Sequence, residues 1–279
     1  ASVAPEAARN GRSGVAAGRP VGRGGRRLAL AAGNGQAIAW SVAGLAIPLA
    51  ITGSVAEGIE AAEAALARAR TLESRPIQLV AIAVLCNIFQ MTGPPARAIE
   101  LGDEGIAISE ARGELWARGY ILIATSQAHW REGKTRLADV QARSSAAFKH
   151  ALDDRSGLQL VLETLAWMAA EGGGHERAAT ILGAAEGLRT VSGLLFQEAQ
   201  RQQHDATLAM VRDSLGSRLF DTMYQRGLGM TIDQTLAFAV DDRLPTVRPA
   251  VKVDTEGEIR LTKRELEVAR LIALEMTTR

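Results

Sequence analysis

Residues 133–140 read GKTRLADV, and related stretches begin forty residues away on either side. Each of the four stretches opens on a glycine, and these glycines are Gly53, Gly93, Gly133 and Gly173. Five residues after each glycine stands a small residue: Gly58, Ala98, Ala138 or Ala178. A fixed period of this length is typical of stacked repeats. It predicts a unit made of a helix, a glycine-marked turn and a second helix that approaches its partner closely.

The residues upstream of each glycine keep the same register. Two rows of equivalent positions, forty residues apart, are mainly apolar. The first row is Val42, Ile82, Leu122 and Leu162, and the second is Leu45, Leu85, Thr125 and Leu165. A third row is Trp40, Val80, Tyr120, Leu160. Within a unit these positions recur at helical steps, so they share one face of the first helix. A helix pair cannot bury that face alone, and stacking of successive pairs completes the core.

Two units depart from the pattern. Pro48 lies inside the first helix of the first unit, where it should kink or end the helix. The fourth unit carries EGGGHE at residues 171–176, and we expect the three glycines to loosen its turn.

Composition points to an all-helical protein. Apolar residues make up 47% of the 279 residues and aromatic residues only 4%, which suits helix contacts between small side chains. The net charge of +1 gives no overall attraction to nucleic acid or to a membrane surface. The single cysteine, Cys86, lies in an apolar run and is expected to be a buried small hydrophobe. A reducing, cytoplasmic setting fits this cysteine usage.

The N-terminal residues 1–35 are basic and rich in glycine, with arginines at positions 9, 12, 19, 23, 26 and 27. No charged residue occurs from Leu28 to Ala56, and a basic stretch followed by an apolar one is also the order of a membrane anchor. Several glycines and Pro48 interrupt the apolar part, so a disordered tail before a first helix is the preferred interpretation. We expect no membrane partner.

Residues 194–240 differ in character from the repeats. Ser217 is placed to begin a helix and Gly227 to end it, with Phe220, Met223 and Tyr224 on one face. Thr231 and Gln234 have the spacing of a capping box. These signals predict three short helices over about residues 197–215, 218–226 and 232–240. Residues 241–258 contain two prolines and show no helical or strand face, so they are interpreted as a linker.

One stretch imitates a phosphate-binding loop. AHWREGKT, at residues 128–135, matches the end of the P-loop pattern but has Ala128 where the first glycine should stand. A P-loop follows a strand, whereas this stretch follows a predicted helix. We therefore expect Gly133 to be a repeat turn and Lys134 to be solvated.

The remaining polar residues give no pattern of a catalytic site. None of the four histidines is paired with another histidine or cysteine at a metal-ligand spacing, and a metal role for His175 with Glu176 is disfavoured. His129 falls in a buried row and is expected to be a hydrogen-bonded histidine of the core or its edge. Asp153 and Asp154 are expected to cap a helix or to solvate a turn. We expect no enzymatic activity, no metal and no cofactor.

The final stretch, LTKRELEVARLIALEMTTR at residues 261–279, has the pattern of a capped helix. Thr262 and Glu265 are spaced as a capping box. An apolar stripe follows, made of Val268, Leu271, Ile272 and Met276. Thr277 or Thr278 could begin a second helix, with Arg279 in its first turn.

These features resemble two known kinds of protein. The repeats are similar to the tetratricopeptide-like helical repeats of large bacterial regulators, with a longer period. Residues 261–279 resemble the opening of the LuxR-type helix-turn-helix domain, through Leu261, Thr262, Arg264, Glu265, Val268, Ile272, Ala273, Thr277, Thr278 and Arg279. The segment LGSRLFDTMYQRGLGMTIDQTLAFAV (215–240) looks like the one that precedes this domain in ATPase-associated LuxR regulators of actinobacteria. Glu275 departs from the family, which usually has glycine there.

The resemblance implies a transcriptional regulator whose complete form binds DNA. The recognition helix of such a domain lies beyond residue 279, so we expect this chain to be a fragment, truncated within the helix-turn-helix domain. Within it, Thr277, Thr278 and Arg279 could contact phosphate, which positions a protein on DNA without reading its sequence. The repeats would form a surface for a small-molecule inducer or a protein partner. The alternative is a free-standing helical-repeat interaction module without DNA binding.

The predicted organisation has five parts. They are a tail (1–35), helical repeats (36–193), a C-terminal helical segment (194–240), a linker (241–258) and an incomplete helix-turn-helix domain (259–279).

Overall fold

The computed structural model describes residues 54–192 and 198–240. These residues form ten α-helices and contain no β-strand, so the predicted all-α fold is confirmed for them. The helices are α1 (Val55–Thr71), α2 (Arg75–Thr92), α3 (Pro95–Glu110), α4 (Trp116–Arg131), α5 (Thr135–Ala151), α6 (Arg155–Glu171), α7 (His175–Ser192), α8 (Glu198–Leu215), α9 (Ser217–Leu228) and α10 (Ile232–Ala239). The first helix of the first predicted unit, with Pro48 and Gly53, lies outside the described residues.

The period of forty residues is the period of the helix pairs. Gly93 separates α2 from α3, Gly133 separates α4 from α5, and Gly173 separates α6 from α7. The small residues that follow each glycine are all buried, and three of them have no exposed surface: Ala98, Ala138 and Ala178. The predicted repeat unit, two helices joined by a glycine-marked turn, is therefore confirmed for the described repeats.

The turns at Gly133 and Gly173 have the same geometry. Both glycines have a left-handed backbone, with φ of 75° and 79°. In each turn the following residue donates its N–H to a carbonyl five residues back, Lys134 to His129 at 2.9 Å and Gly174 to Ala169 at 2.8 Å. The expected loosening of the EGGGHE turn is wrong, because the left-handed position alone requires glycine and its neighbours follow the same path.

A second set of turns also repeats every forty residues. Glu73, Gly113 and Asp153 have φ of 50°, 64° and 50°, and each ends the second helix of a pair. The next residue again donates to a carbonyl five residues back, as Asp154 does to Lys149 at 2.8 Å. The repeat pattern did not predict these turns, because the left-handed position is occupied by glutamate, glycine and aspartate and not by one residue type.

The aligned apolar rows form the core of the stack. Ile82, Leu162 and their equivalent Leu122 are buried, and so are Leu85, Thr125 and Leu165. The third row, with Tyr120, is only half-buried. Removing a leucine side chain of this kind from water contributes about 1.5–3 kcal/mol, so the rows supply much of the cohesion between neighbouring pairs.

Helix α2 is the most apolar element of the stack. It contains an 18-residue window of mean hydropathy 1.3, which satisfies the length and composition of a membrane span, but 56% of that window is buried inside the protein. Cys86 lies in α2 with no exposed surface and its thiol contacts the Ala98 carbonyl oxygen at 3.3 Å. Burial raises the pKa of the Cys86 thiol to about 12. The predicted role of Cys86 as a buried small hydrophobe is confirmed.

The three predicted C-terminal helices are present as α8, α9 and α10. The capping box of α10 is formed: Thr231 Oγ1 accepts from the Gln234 N–H at 3.2 Å, and Gln234 Oε1 accepts from the Thr231 N–H at 2.9 Å. Helix α9 begins at Ser217, as predicted, with Gly216 at its cap position. The predicted stop at Gly227 is wrong, because the helix continues to Leu228 and Gly229 follows it.

Gly227 has a different role, in helix packing. A Cβ on Gly227 would lie 1.8 Å from the Thr180 carbonyl oxygen, and one on Gly183 would lie 2.0 Å from the Tyr224 carbonyl oxygen. Helices α7 and α9 therefore cross backbone against backbone at this glycine pair. The crossing fastens the C-terminal segment to the last repeat.

Candidate functional site

The residues predicted to contact DNA, Thr277, Thr278 and Arg279, lie outside the described residues, together with the predicted tail, linker and helix-turn-helix segment. These assignments and the predicted domain boundaries therefore stay predictions. The described residues contribute three other features: a buried lysine, a polar cleft and the attachment of the C-terminal helices.

The stretch that imitates a P-loop is a repeat turn. Helix α4 ends at Arg131, residues 132–134 form the turn, and α5 begins at Thr135. Lys134 Nζ lies 2.7 Å from Glu132 Oε2, and the lysine side chain is 55% exposed. The expectation of a repeat turn with a solvated lysine is confirmed.

The histidines occupy unrelated places. His129 is buried as predicted, and burial lowers its pKa, but its Nδ1 has no hydrogen-bond partner among the described residues. His150 Nε2 lies 2.8 Å from Asp233 Oδ1 and joins α5 to α10. Within residues 54–192 and 198–240, no three His, Cys, Asp or Glu side chains are grouped to hold a metal ion.

The side chain of Lys149, in α5, is fully buried. Its Nζ donates to Asp154 Oδ2 at 3.0 Å and to the Trp116 carbonyl oxygen at 2.9 Å. The ammonium also lies 3.2 Å from the centroid of the Tyr120 ring, a cation–π contact. The Tyr120 hydroxyl donates to Asp154 Oδ1 at 3.3 Å. These contacts join the ends of three helices at one point.

Two glycines make room for this lysine. A Cβ on Gly119 or on Gly157 would come within 2.7 Å or 2.5 Å of Lys149 side-chain carbons. Burial lowers the pKa of Lys149 to about 8, although the hydrogen bond and charge of Asp154 oppose the shift. Because Lys149 has no exposed surface, its cluster of contacts stabilises the packing of the helices and is not accessible to a substrate. Asp154 also caps α6 by accepting from the Gly157 N–H at 2.8 Å, as expected for this aspartate.

A cleft of about 320 Å³ is lined by residues towards the carboxyl ends of α2, α4 and α6 and by residues of α8. We call it the Gln–Trp cleft, and its walls include Gln90, Gln127, Trp130, Arg131, Trp167 and Gln203. The rings of Trp130 and Trp167 stack with centroids 6.2 Å apart and planes inclined by 29°. The cleft thus combines a flat aromatic surface with several amide groups.

The glutamines of the cleft differ in their partners. Gln127 Nε2 donates to Thr164 Oγ1 at 2.7 Å. Gln90 is only 6% exposed, and its side chain lines the cleft. Its backbone carbonyl accepts from the Arg131 guanidinium. A side-chain amide that lines a cleft can both donate to and accept from a ligand.

Next to the cleft, a buried pair holds α8 against α6. His204 Nδ1 lies 2.9 Å from Glu163 Oε2, and Glu163 is 2% exposed. Burial by itself would lower the pKa of His204, but the hydrogen bond and charge of Glu163 outweigh it, so the pKa is raised. The charges of Asp205 and of Glu186, on α7, act in the same direction.

A second cleft, of about 340 Å³, lies between α1 and α3. Its charged side chains neutralise one another: Arg70 pairs with Glu104 at 2.6 Å and Arg97 with Glu100 at 2.7 Å. Exposed pairs of this kind contribute little to stability. The arrangement is that of a solvated surface of alternating charge.

The last described helix, α10, is tied to the repeats by its carboxyl end. The Ala239 carbonyl oxygen accepts from Arg177 Nη2 at 2.9 Å and from Arg143 Nη1 at 3.3 Å. Cations at the carboxyl end of a helix also interact favourably with its dipole. The position of α10 therefore depends on α5 and α7.

Comparison with known proteins gives a distant similarity and no family assignment. No protein-family model matches the chain. The chain is 26% identical over 222 residues to the protein of Mycobacterium bovis named "Putative HTH-type transcriptional regulator Mb0914c". The same figures hold for the protein of Mycobacterium tuberculosis named "Putative HTH-type transcriptional regulator Rv0890c".

The similarity covers most of this chain and a small part of the relatives. The matched residues are 79% of the chain but only 24% of each relative. The chain thus matches about a quarter of the length of the curated relatives. Their printed names describe helix-turn-helix regulators of transcription.

Proposed function

We propose that the chain is part of a LuxR-type transcriptional regulator. The observation that carries the proposal is the similarity to the mycobacterial helix-turn-helix regulators over 222 residues. The LuxR type rests on the resemblance of residues 261–279 to the opening of that domain. In this role the protein is a cytoplasmic, non-enzymatic regulator whose partner is DNA.

In this proposal the repeats bind an inducer or a protein partner, and the C-terminal helices pass the resulting change on to the linker. Residues 36–193 would offer a surface to an inducer or a protein partner, and the segment 194–240 would carry the response to the linker at 241–258. Two contacts support the transmission. Helix α9 is locked onto α7 at Gly183 and Gly227, and α10 is held by Arg143 and Arg177.

The DNA end of the proposal concerns the predicted domain at 259–279. Thr277, Thr278 and Arg279 would contact phosphates, since hydroxyl and guanidinium groups serve that purpose. Base reading would belong to the recognition helix of a complete domain, which enters the major groove. The contacts of residues 277–279 would position the protein on DNA without reading its sequence.

The test compares two proteins in a mobility-shift assay at moderate salt. One is this chain, and the other carries the same residues joined to a complete helix-turn-helix domain. We expect the longer protein to prefer its own promoter over random DNA and this chain to show no preference. Equal binding of the longer protein to both DNAs would reject the regulator proposal. A regulated response that survives deletion of residues 36–193 would reject the sensing role of the repeats.

A further inference from the structure

We propose that the Gln–Trp cleft binds a small, planar, uncharged molecule that carries adjacent hydrogen-bond donor and acceptor groups, as an amide or lactam edge does. The binding itself follows from the geometry of the cleft. Its consequence, that the molecule acts as an inducer, rests on the function proposed above.

The walls of the cleft specify this chemistry. Gln90, Gln127 and Gln203 line the cleft with side-chain amides, and an amide both donates and accepts. Gln127 and Gln203 already donate through Nε2 to Thr164 and Thr207. The Gln90 side chain lines the cleft and is 6% exposed, so its amide could donate to and accept from a complementary edge of the ligand. The partly exposed Trp130 ring, which stacks on the buried Trp167 ring, gives an aromatic wall suited to a planar ring.

The charges around the cleft exclude a cation as the preferred ligand. No aspartate or glutamate is among its described lining residues, and Arg131 is positively charged. The nearby Glu163 is buried and already pairs with His204. A cation placed here would lose its hydration without gaining a counter-charge. A volume of about 320 Å³ fits a molecule of one or two rings.

The position of the cleft gives the ligand a way to act. Gln90, Trp130 and Trp167 belong to the repeats, whereas Gln203 belongs to α8 in the C-terminal segment. A bound molecule would contact both and would favour the arrangement in which α8 packs against α6. A ligand shifts a conformational equilibrium when it binds one arrangement more tightly than the other, and the contact with α8 would supply that difference in affinity.

Nuclear magnetic resonance of the 15N-labelled chain tests the binding without DNA. The probes are nicotinamide and uracil, which are planar and uncharged, and piperidine, which is a cation at neutral pH. We expect at least one planar probe to shift the indole N–H signals of Trp130 and Trp167 saturably, with a Kd of about 1 mM. Trp116 is half-exposed at the opposite end of α4 and should not respond. The proposal is overturned if neither planar probe shifts the pair saturably, or if piperidine does so equally well.

Substitution of Gln90 locates the ligand. Gln90→Leu removes the amide with little change in volume and should weaken the binding of the active probe about threefold to tenfold, the contribution of one hydrogen bond. The matched control is Gln225→Leu, at an exposed glutamine of α9, which should leave the affinity unchanged. Equal affinity in both variants would overturn the assignment. Binding that persists while the mobility-shift assay shows no promoter preference would reject the proposed regulator alone.

Discussion

Lys149 Nζ and Asp154 Oδ2 lie 3.0 Å apart, and the lysine side chain has no exposed surface. Removing one partner of a buried ion pair leaves the other charge without compensation, which typically costs about 3–5 kcal/mol. We therefore expect Asp154→Asn to lower the free energy of unfolding by about 3 kcal/mol, because Lys149 would remain buried beside a neutral amide. Urea denaturation followed by circular dichroism measures the loss.

The adjacent aspartate provides the matched control. Asp153 is 80% exposed and has a left-handed backbone that asparagine also tolerates. Asp153→Asn should leave the stability nearly unchanged. The double variant Asp154→Asn with Lys149→Met should recover part of the loss, because the uncompensated charge is removed. Equal losses in the two asparagine variants would show that the buried pair contributes little.

The crossing of α7 and α9 leads to a prediction at two glycines of one helix. A Cβ on Gly183 would lie 2.0 Å from a backbone oxygen, whereas the nearest atom to a Cβ on Gly187 would be 3.5 Å away. Gly183→Ala should force the helices apart and cost about 1–3 kcal/mol or more. Gly187→Ala should be neutral, or stabilising by up to about 1 kcal/mol, because alanine favours a helix. Thermal unfolding of both variants checks the contrast, and a similar effect at both positions would contradict the crossing.

The glycines of the turns and of the helix crossing show which parts of the fold the sequence predicts. Gly133 and Gly173 were interpreted correctly because a left-handed turn after an apolar helix needs glycine, and the period of forty made the turns conspicuous. The sequence also predicts that Gly227 ends a helix, and that prediction is wrong, because glycine also permits a close approach between helices. Local sequence does not distinguish the two uses; the partner Gly183 lies 44 residues earlier in the chain.

The candidate site was less predictable than the fold. Lys149 and Gln90 are polar residues on otherwise buried helix faces, and that exception was the signal available in the sequence. Their partners come from other helices, so the lysine group and the cleft required the three-dimensional arrangement. The predicted phosphate contacts at Thr277–Arg279 fall outside the described residues and stay a prediction.

The pair of His204 and Glu163 predicts how stability depends on pH. The pKa of His204 is raised above its ordinary value of 6.5 because Glu163 outweighs the effect of burial. A histidine with a raised pKa in the folded state contributes stability that is fully present below pH 6.5 and is lost as the pH rises through the folded-state pKa. The urea concentration at the midpoint of denaturation should therefore decrease as the pH is raised from about 6 to about 8.5.

The variant His204→Gln separates this pair from other titrating groups. Glutamine can keep a hydrogen bond to Glu163 but cannot change its charge. We expect the variant to be less stable at about pH 6 and to lose most of the difference from the wild type by about pH 8.5. Parallel pH profiles for the two proteins would show that the pair does not hold α8 through its charge.

The attachment of α10 predicts a local effect of Arg177. This arginine donates to the Ala239 carbonyl oxygen at 2.9 Å, and its guanidinium lies 5.2 Å from the centroid of the Phe238 ring. Arg177→Ala should loosen α10 and raise amide hydrogen exchange across residues 232–240 about tenfold, the effect of one charge-assisted hydrogen bond. Arg136→Ala, at an exposed position of α5, is the control and should change nothing there. Unchanged exchange in the Arg177 variant would mean that α10 is held by the packing of Leu236 and its apolar neighbours instead. In that case the α7–α9 crossing would be the contact that holds the C-terminal helices on the repeats. The Gly183 variant would then be the one that weakens the coupling which the proposed function requires between the repeats and the C-terminal helices.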